Sequence, residues 1–584
     1  MKRKLLAIIL AVTLCFSLNT PVIAEDMPKA QSNGFISPID NTIPPNAVLV
    51  STPPELAAIG GADSAGRYYV LTNDIYLTEE WVPGEFHGTF DGQGHVINNL
   101  YVLSSSEREY AGLFGQASEH AIIKNVGVNI GILGLCANGY SNAYVGTLIG
   151  KSNGATIINC YITGNISSAT TARGINDRYS CAGGLIGYNN GGTITDCYTT
   201  GSIAASSLFQ SYAGGLIGYN NGNIITNCYT TCKVEASATS STTYLAWSYA
   251  GGLIGDCSSG TITNCYSTGT VSAPSDKDSF SGGLIGRYIG GILTNCYATG
   301  DVSGASKYAS YVGGLIGYFK DGATVNCYST SRTYAEKIGY YSDLYYSGGL
   351  FGYCGDGIVT VTDSYASGVV TTEGAGDRAG GFIAGYSDNC RLTIKNSYYT
   401  SSVVVGETKD SIGVFVSDWA LESVMRAVNE NLVPENLQRD FSYSTTRAEF
   451  CALAVALYEN LTGRVITDRI TFVDTNDVNV EKAAAIGAVL GMGDNMFSPD
   501  TQLTREQAAV MLSRLADAIG KPLQQKAATF ADNNQIAEWA IDGVGQVQAT
   551  GIMSGVGENT FAPKNPYTRE QSITTILRLF DFLK

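Results

Sequence analysis

Three Thr-Arg pairs are the places where this sequence has chemistry to offer: Thr446-Arg447, Thr504-Arg505 and Thr568-Arg569. Three residues after each threonine stands Glu449, Gln507 or Gln571. That is capping-box spacing, so each threonine should cap a helix and each arginine should open it. A cation at that position works against the helix dipole. Repeating an unfavourable placement three times points to a use: the guanidinium and the free backbone N–H groups together form an anion site. The plainer reading is a solvated arginine, or one paired with a neighbouring acid.

Other chemistries have less to draw on. There are three histidines, His87, His95 and His120, and no Cys-x-x-Cys, His-Glu-x-x-His or Gly-x-Ser-x-Gly pattern. No metal site, cofactor or catalytic residue is assigned. Asp474-Thr475-Asn476-Asp477 has the start of a calcium loop but not its glycine or terminal glutamate. Glycan cleavage needs paired carboxylates. The acids Asp91, Asp177 and Asp256 are scattered and read as turn residues. Arg173, Asp177 and Arg178, in one longer insertion, come nearest to a cluster.

Cysteine and tyrosine recur together. Asn-Cys-Tyr or Asp-Cys-Tyr ends at Tyr161, Tyr198, Tyr229, Tyr266, Tyr297 and Tyr328, and serine replaces the cysteine at Ser364 and Ser397. The successive steps are 37, 31, 37, 31, 31, 37 and 33 residues. Stacked neighbours would lie ~4.8 Å apart, within reach of a disulfide. Serine in the same column favours a slot for small, free side chains instead. The tyrosines would form an outward ladder. It reads either as a contact strip for glycan or protein or, preferably, as ring-on-ring packing.

The elements that carry these residues follow from the period. A Gly-Leu-Ile-Gly-like block recurs from Gly112–Gly115 to Gly380–Gly385, and self-similarity at this spacing means a stacked solenoid. After each cysteine, alternate residues are small or apolar (Cys160, Ile162; Cys296, Ala298, Val302), the period of a strand. Ile194 and Ile262 fall on the other parity, so the chain should bend at the Asn or Asp. The expectation is a parallel β-helix, right-handed by precedent. Thr52-Pro53-Pro54-Glu55 predicts a short helix over its open end. After residue 405 helical spacing takes over. Gly487, Gly491, Phe497, Pro499, Thr504 and Arg505 repeat as Gly551, Gly555, Phe561, Pro563, Thr568 and Arg569, at an offset of 64. A looser copy runs from Trp419 to Glu449.

The Gly-Leu-Ile-Gly copies resemble the GLUG motif of bacterial surface proteins. The Thr-Arg-x-Glu/Gln motif, the Phe-x-Asp starts (Phe472, Asp474; Phe530, Asp532) and the Gly-x-Gly-Asp/Glu turns resemble S-layer homology (SLH) modules. The second resemblance implies an all-α bundle of three modules that binds secondary cell-wall polysaccharide, often through a pyruvylated sugar. Carried over by position, Arg447, Arg505 and Arg569 are the expected groove cations. Gly491 and Gly555 lie in the turns, and Trp419 and Trp539 are stacking or packing residues. The first copy lacks the Phe-x-Asp start and the glycine turn, which puts its groove in question. The middle copy has no tryptophan and is shortened between Asp474 and Gly487.

The rest of the chain fits a surface protein. Lys4 and its basic neighbours, an uncharged Leu5–Leu18 run and Val22-Ile23-Ala24 have the order of a secretory leader. The C-terminal Phe580–Lys584 has no sorting tail, so non-covalent retention is expected. A net charge of −16 argues against nucleic acid as partner. The expected organisation is 1–24 leader, 25–46 linker, 47–109 cap and first turns, 110–405 GLUG solenoid, 406–417 linker, and SLH modules at 418–464, 465–520 and 521–584. The expected function is non-covalent anchoring at the cell wall, with the solenoid displayed as a stalk or adhesion region for a host, glycan or protein partner. The alternatives are a wall-attached polysaccharide lyase or hydrolase and an S-layer lattice subunit.

Overall fold

The structure is a computed structural model that describes residues 36–40, 42–103, 108–138, 142–170, 179–239, 246–338, 344–372, 378–400, 403–405 and 414–584. The proposed leader, Arg173, Asp177 and Arg178 lie outside the described residues, as does segment 406–413. Two compact units divide between Gly413 and Val414.

The first unit is a parallel β-helix. One coil runs through strands Tyr179–Gly183, Ile186–Asn189, Thr193–Thr195 and Tyr198–Ser207. Each strand pairs in parallel and in register with its counterpart in the next coil, for example Ile186 with Ile217 and Tyr198 with Tyr229. The coils stack into three parallel sheets. The leucine and isoleucine of each Gly-Leu-Ile-Gly block point inward, so Leu216, Ile217, Leu253 and Ile254 are fully buried. The glycines are required by close approach: a Cβ on Gly214 would lie 1.9 Å from the Ile217 carbonyl, and one on Gly215 2.1 Å from that of Gly252. Helix α1 (Pro53–Ala57) follows the first strand of the solenoid, Val48–Val50, and is capped by Thr52 and Glu55.

The bend between Thr193–Thr195 and Tyr198–Ser207 explains the Asn-Cys-Tyr blocks. Asn159, Asp196, Asn227, Asn264, Asn295, Asn326, Asp363 and Asn396 all have positive φ, between 45° and 55°. Asn and Asp tolerate that conformation better than other side chains. Their side chains bond from coil to coil: Asn227 to Asp196, Asn264 to Asn227, Asn295 to Asn264, each at 3.0 Å. The following cysteine accepts a bond from the coil before it, as when the Cys228 N–H donates to Cys265 Sγ at 3.4 Å. Ser364 Oγ accepts from Cys327 N at 3.2 Å in the same way. Serine and cysteine are therefore interchangeable here as acceptors, and the described cysteines are free thiols.

One sequence expectation is corrected. Asp91 and Asp256 are not turn residues. Both end or lie within strands, fully buried, with Asp91 on Lys124 at 3.1 Å and Asp256 on Arg287 at 2.6 and 2.9 Å. The tyrosine column Tyr161, Tyr198, Tyr229, Tyr266, Tyr297 and Tyr328 packs ring on ring, the preferred of its two readings. Its rings stack face to face, 4.7 to 5.4 Å between centroids, so each ring face is covered by the next ring. Ile36 packs against the same column.

The second unit is helical apart from the two-residue strand Val414–Phe415 and short bridges. It contains α2 (Leu421–Asn429), α3 (Arg447–Thr462), α4 (Val478–Ala485), α5 (Arg505–Ile519), α6 (Ile541–Ala549) and α7 (Arg569–Leu583). The three long helices bury Phe450, Leu453 and Leu457, then Met511, Leu512 and Leu515, then Ile573, Ile576 and Phe580. Their first turns dock around a pseudo-threefold ring. Ala448 N donates to the Pro499 carbonyl, Glu506 N to Pro563, and Glu570 N to Phe441, at 3.0, 3.1 and 2.8 Å. Among the described residues no helix is long and apolar enough to cross a membrane.

Candidate functional site

The ring geometry makes each arginine a bridge between modules. Arg447, Arg505 and Arg569 are the first residues of α3, α5 and α7, each behind a threonine in a complete capping box. Arg505 of the middle module donates from Nε to the Phe561 carbonyl and from Nη2 to the Ser554 carbonyl of the last module, both at 2.8 Å. Its guanidinium lies over the Phe561 ring at 4.9 Å. Arg447 repeats this one module earlier. It donates to the carbonyls of Phe497 and Leu490 at 3.0 and 2.9 Å and lies over the Phe497 ring at 4.4 Å.

The loops that receive these bonds are set by the Phe-x-Asp acids. Asp532 accepts from the N–H groups of Phe561 and Ala562, both at 2.8 Å. Asp474 accepts from Phe497 and Ser498 at 2.8 and 2.7 Å. These bonds hold the Asp474 carboxyl below its usual range, against the opposing effect of burial. Ala562 and Ser498 have positive φ, so the clamp fixes a tight turn whose preceding carbonyl faces the arginine. Gly555 and Gly491 keep the same turns narrow: a Cβ on either would lie 2.8 or 2.9 Å from a backbone carbonyl.

Arg505 is 5% exposed and forms no ion pair among the described residues. No described acceptor engages its Nη1. Burial pushes the guanidinium pKa down, and the more distant Tyr567 and Asp532 offset this only in part. Arg447 is likewise pushed down by burial and forms no ion pair among the described residues. A buried cation left this way is expensive unless an anion joins it.

Beside Arg505 lies a cavity of about 440 Å³, lined by Trp419, Ser554, Gly555, Tyr567, Gln571, Thr574 and Arg578, among others. Its lining comes from Trp419 before α2, from the start of α5, from residues 553–556, and from Tyr567 and α7. No carboxylate lines it, while two guanidiniums do. Thr574 is 3% exposed and its hydroxyl has no hydrogen-bond partner among the described residues. Trp419 is 55% exposed and held by the preceding Ser417, whose N–H and hydroxyl donate to Glu570 at 3.1 and 2.8 Å. A ring face, two cations and an unused hydroxyl around one hollow suit a sugar that carries an acid.

The structure thus brings Arg505, Trp419 and Gly555 to one cavity. Gly491 stands beside Arg447, between Leu490 and Met492. Trp539 lies elsewhere, 58% exposed, near Ala537, whose N–H donates to Glu506 at 3.0 Å. Arg569, expected as an equivalent third cation, is placed differently. Its Nη2 donates to Glu449 Oε1 at 2.5 Å and its Nη1 to the Arg439 carbonyl. The first module has neither the Phe-x-Asp clamp nor the glycine turn, so no second loop carbonyl meets this arginine, and Glu449 takes that role. Sequence reasoning did not find Thr574, Thr575 and Arg578. They follow Gln571 at helical spacing, but only the docking of one module on the next brings them to Arg505.

Family comparison agrees with both halves of the chain. The S-layer homology domain model matches residues 479–509 and 529–571, and the GLUG motif model matches 178–204 and 281–303. The chain is 26% identical to an amylopullulanase of Thermoanaerobacterium thermosulfurigenes over 34% of its length, which is 11% of that protein. It is 28% identical to exoglucanase XynX of Acetivibrio thermocellus, over 33% of this chain and 18% of the relative. It is 30% identical to cell surface glycoprotein 1 of the same species, over 18% of this chain and 5% of the relative. The chain spans less than a fifth of the length of each of these relatives. It carries S-layer homology modules and GLUG motifs, and it is a secreted protein associated with the bacterial cell wall.

Proposed function

We propose that the helical bundle anchors the protein non-covalently to a secondary cell-wall polysaccharide by taking an acidic sugar into the Arg505 cavity. The observation that carries this is a buried, unpaired guanidinium opening onto a hollow with no carboxylate in it. The sugar carboxylate meets Arg505 Nη1 and the rim cation Arg578. The sugar ring lies against Trp419, and its hydroxyls meet Thr574 and Ser554. A pyruvyl ketal supplies such a carboxylate on an otherwise neutral glycan. Arg447, which makes the same pair of carbonyl bonds and no ion pair among the described residues, is the second candidate, and Arg569, paired with Glu449, is not one. The solenoid is the displayed part, a stalk or adhesion region, and its partner is a glycan or protein of the surroundings.

The test is binding of the full chain to purified cell-wall polysaccharide before and after mild acid removes its pyruvyl groups. Binding should fall on their removal, and equal binding to both preparations would defeat the acidic-sugar reading. The names of the amylopullulanase and exoglucanase relatives favour one other reading, a wall-attached polysaccharide-degrading enzyme. Release of reducing or unsaturated sugars from a polysaccharide panel would support it.

A further inference from the structure

A second set of aromatic residues packs on the outside of the solenoid, apart from its core and from the Tyr161 column. One row follows the strands before the Gly-Leu-Ile-Gly corner, from Tyr144 through Tyr249 and Phe280 to Tyr346 and Arg378. The other follows the strands after the corner, from Lys151 through Tyr188, Asp256 and Arg287 to Tyr353. The rows meet edge to face across the corner, with Tyr212 on Tyr219 at 5.3 Å and Tyr311 on Tyr318 at 5.7 Å. Side chains on the outer faces of two successive strands touch only where the corner is re-entrant, so the rows line a furrow along the solenoid. From Tyr144 to Arg378 it crosses seven coil steps, roughly 34 Å at the strand spacing.

The charges of this furrow suit an anion. Asp256 is fully buried, and Arg287 covers it, donating from Nε and Nη2 to its two oxygens. The Arg287 guanidinium lies over the Tyr249 ring at 4.6 Å, and no described acceptor engages its Nη1. Lys151 stands near one end, 5.9 and 5.7 Å from the rings of Tyr144 and Tyr188. Arg378 stands at the other end, 5.5 Å from the Tyr346 ring. Neither forms an ion pair among the described residues. The exposed charges of both rows are therefore positive, in a chain of net charge −16. Before Lys151 the sign changes, where Glu85 and Glu109 line a separate hollow beside Tyr110. Tyr188, Tyr311, Tyr318 and Tyr353 are half-buried, and no described residue bonds their hydroxyls. Spaced cations among unused hydroxyls and ring edges match a hydroxyl-rich chain that carries acids. An extended peptide would instead look for an open strand edge. Strands in the middle of the furrow have none, as Ile254–Cys257 lies paired between Ile217–Asn220 and Ile285–Thr294.

We propose that this furrow binds an anionic polysaccharide lying lengthwise across the coils. Lys151, Arg287 and Arg378 meet its acidic groups, and the tyrosine hydroxyls meet its hydroxyls. The inference goes beyond the anchoring reading and is independent of the bundle's arginines.

The experiment titrates the full chain with polygalacturonate, alginate and hyaluronan, with dextran as neutral control and polyglutamate as a polyanion that is not a glycan. The parent is compared with Lys151→Gln/Arg378→Gln and with Arg287→Gln/Asp256→Asn. The second variant removes both members of the pair, so that no buried carboxylate is left alone. Thermal unfolding confirms that each variant is folded. At least one acidic glycan should bind, more weakly as salt rises. Each furrow variant should lose at least about tenfold in affinity for it. Arg447→Ala/Arg505→Ala should bind the same glycan undiminished. Binding of none of the three acidic glycans, or binding of dextran or polyglutamate as tight as theirs, would overturn the inference. So would full affinity in either furrow variant, or a loss confined to the bundle variant, and these results leave the anchoring reading standing. Loss of cell-wall binding with furrow binding intact would defeat the anchoring reading alone.

Discussion

Arg505 and Arg569 occupy equivalent helix positions with opposite electrostatics, and that difference is measurable. Arg569 has an internal carboxylate partner in Glu449, whereas Arg505 meets carbonyls, the Phe561 ring and a cavity. Arg569→Ala should therefore destabilise the bundle by roughly 1–3 kcal/mol, because Glu449 and the Arg439 carbonyl are left without their donor. It should leave polysaccharide binding unchanged. Arg505→Lys should do the reverse: a lysine keeps the charge but cannot reach two carbonyls and a ligand at once. Its binding should fall at least about tenfold. Thermal unfolding and titration on the same samples separate the two effects.

Single elements of the solenoid carry their own tests. The cysteine column acts as a ladder of acceptors, so Cys265→Ser should be tolerated, as Ser364 already is. Cys265→Val keeps the bulk but strips the acceptor from the Cys228 N–H, and should cost about 1–3 kcal/mol in urea unfolding. Asp91 gives a pH test near the first coils. Burial raises its pKa, but bonds from Tyr68, Asn125, Gln93 and Lys124 outweigh that and leave it below the ordinary carboxylate value. A depressed carboxyl contributes stability above its unfolded pKa of about 3.9 and loses it as pH falls through the folded value. The chain should therefore lose stability below about pH 4, and Asp91→Asn should flatten that part of the profile. Much of this solenoid was legible in advance. The period gave the stacking, and the parity change at Asn and Asp marked the bend. The burial of Asp91 and Asp256 was not legible, because their partners Lys124 and Arg287 lie one coil away, at distances that only the register fixes. For the same reason the arginine starts could be read from capping spacing. The pairing of Arg569 with Glu449, 120 residues apart, could not.

At the scale of the whole chain, the proposed function gives attachment to the helical unit and display to the repeat unit. Arg447 and Arg505 form no ion pair among the described residues, whereas Arg569 pairs with Glu449. Attachment should therefore respond in steps, with a partial loss for Arg447→Ala or Arg505→Ala alone and a full loss for both together. The most direct measurement is co-sedimentation of the full chain with purified cell walls, comparing the parent with the Arg447→Ala/Arg505→Ala double variant. The parent should pellet with the walls and the double variant should remain in the supernatant. Equal pelleting of the two, with both folded, would contradict the claim that these guanidiniums hold the wall glycan.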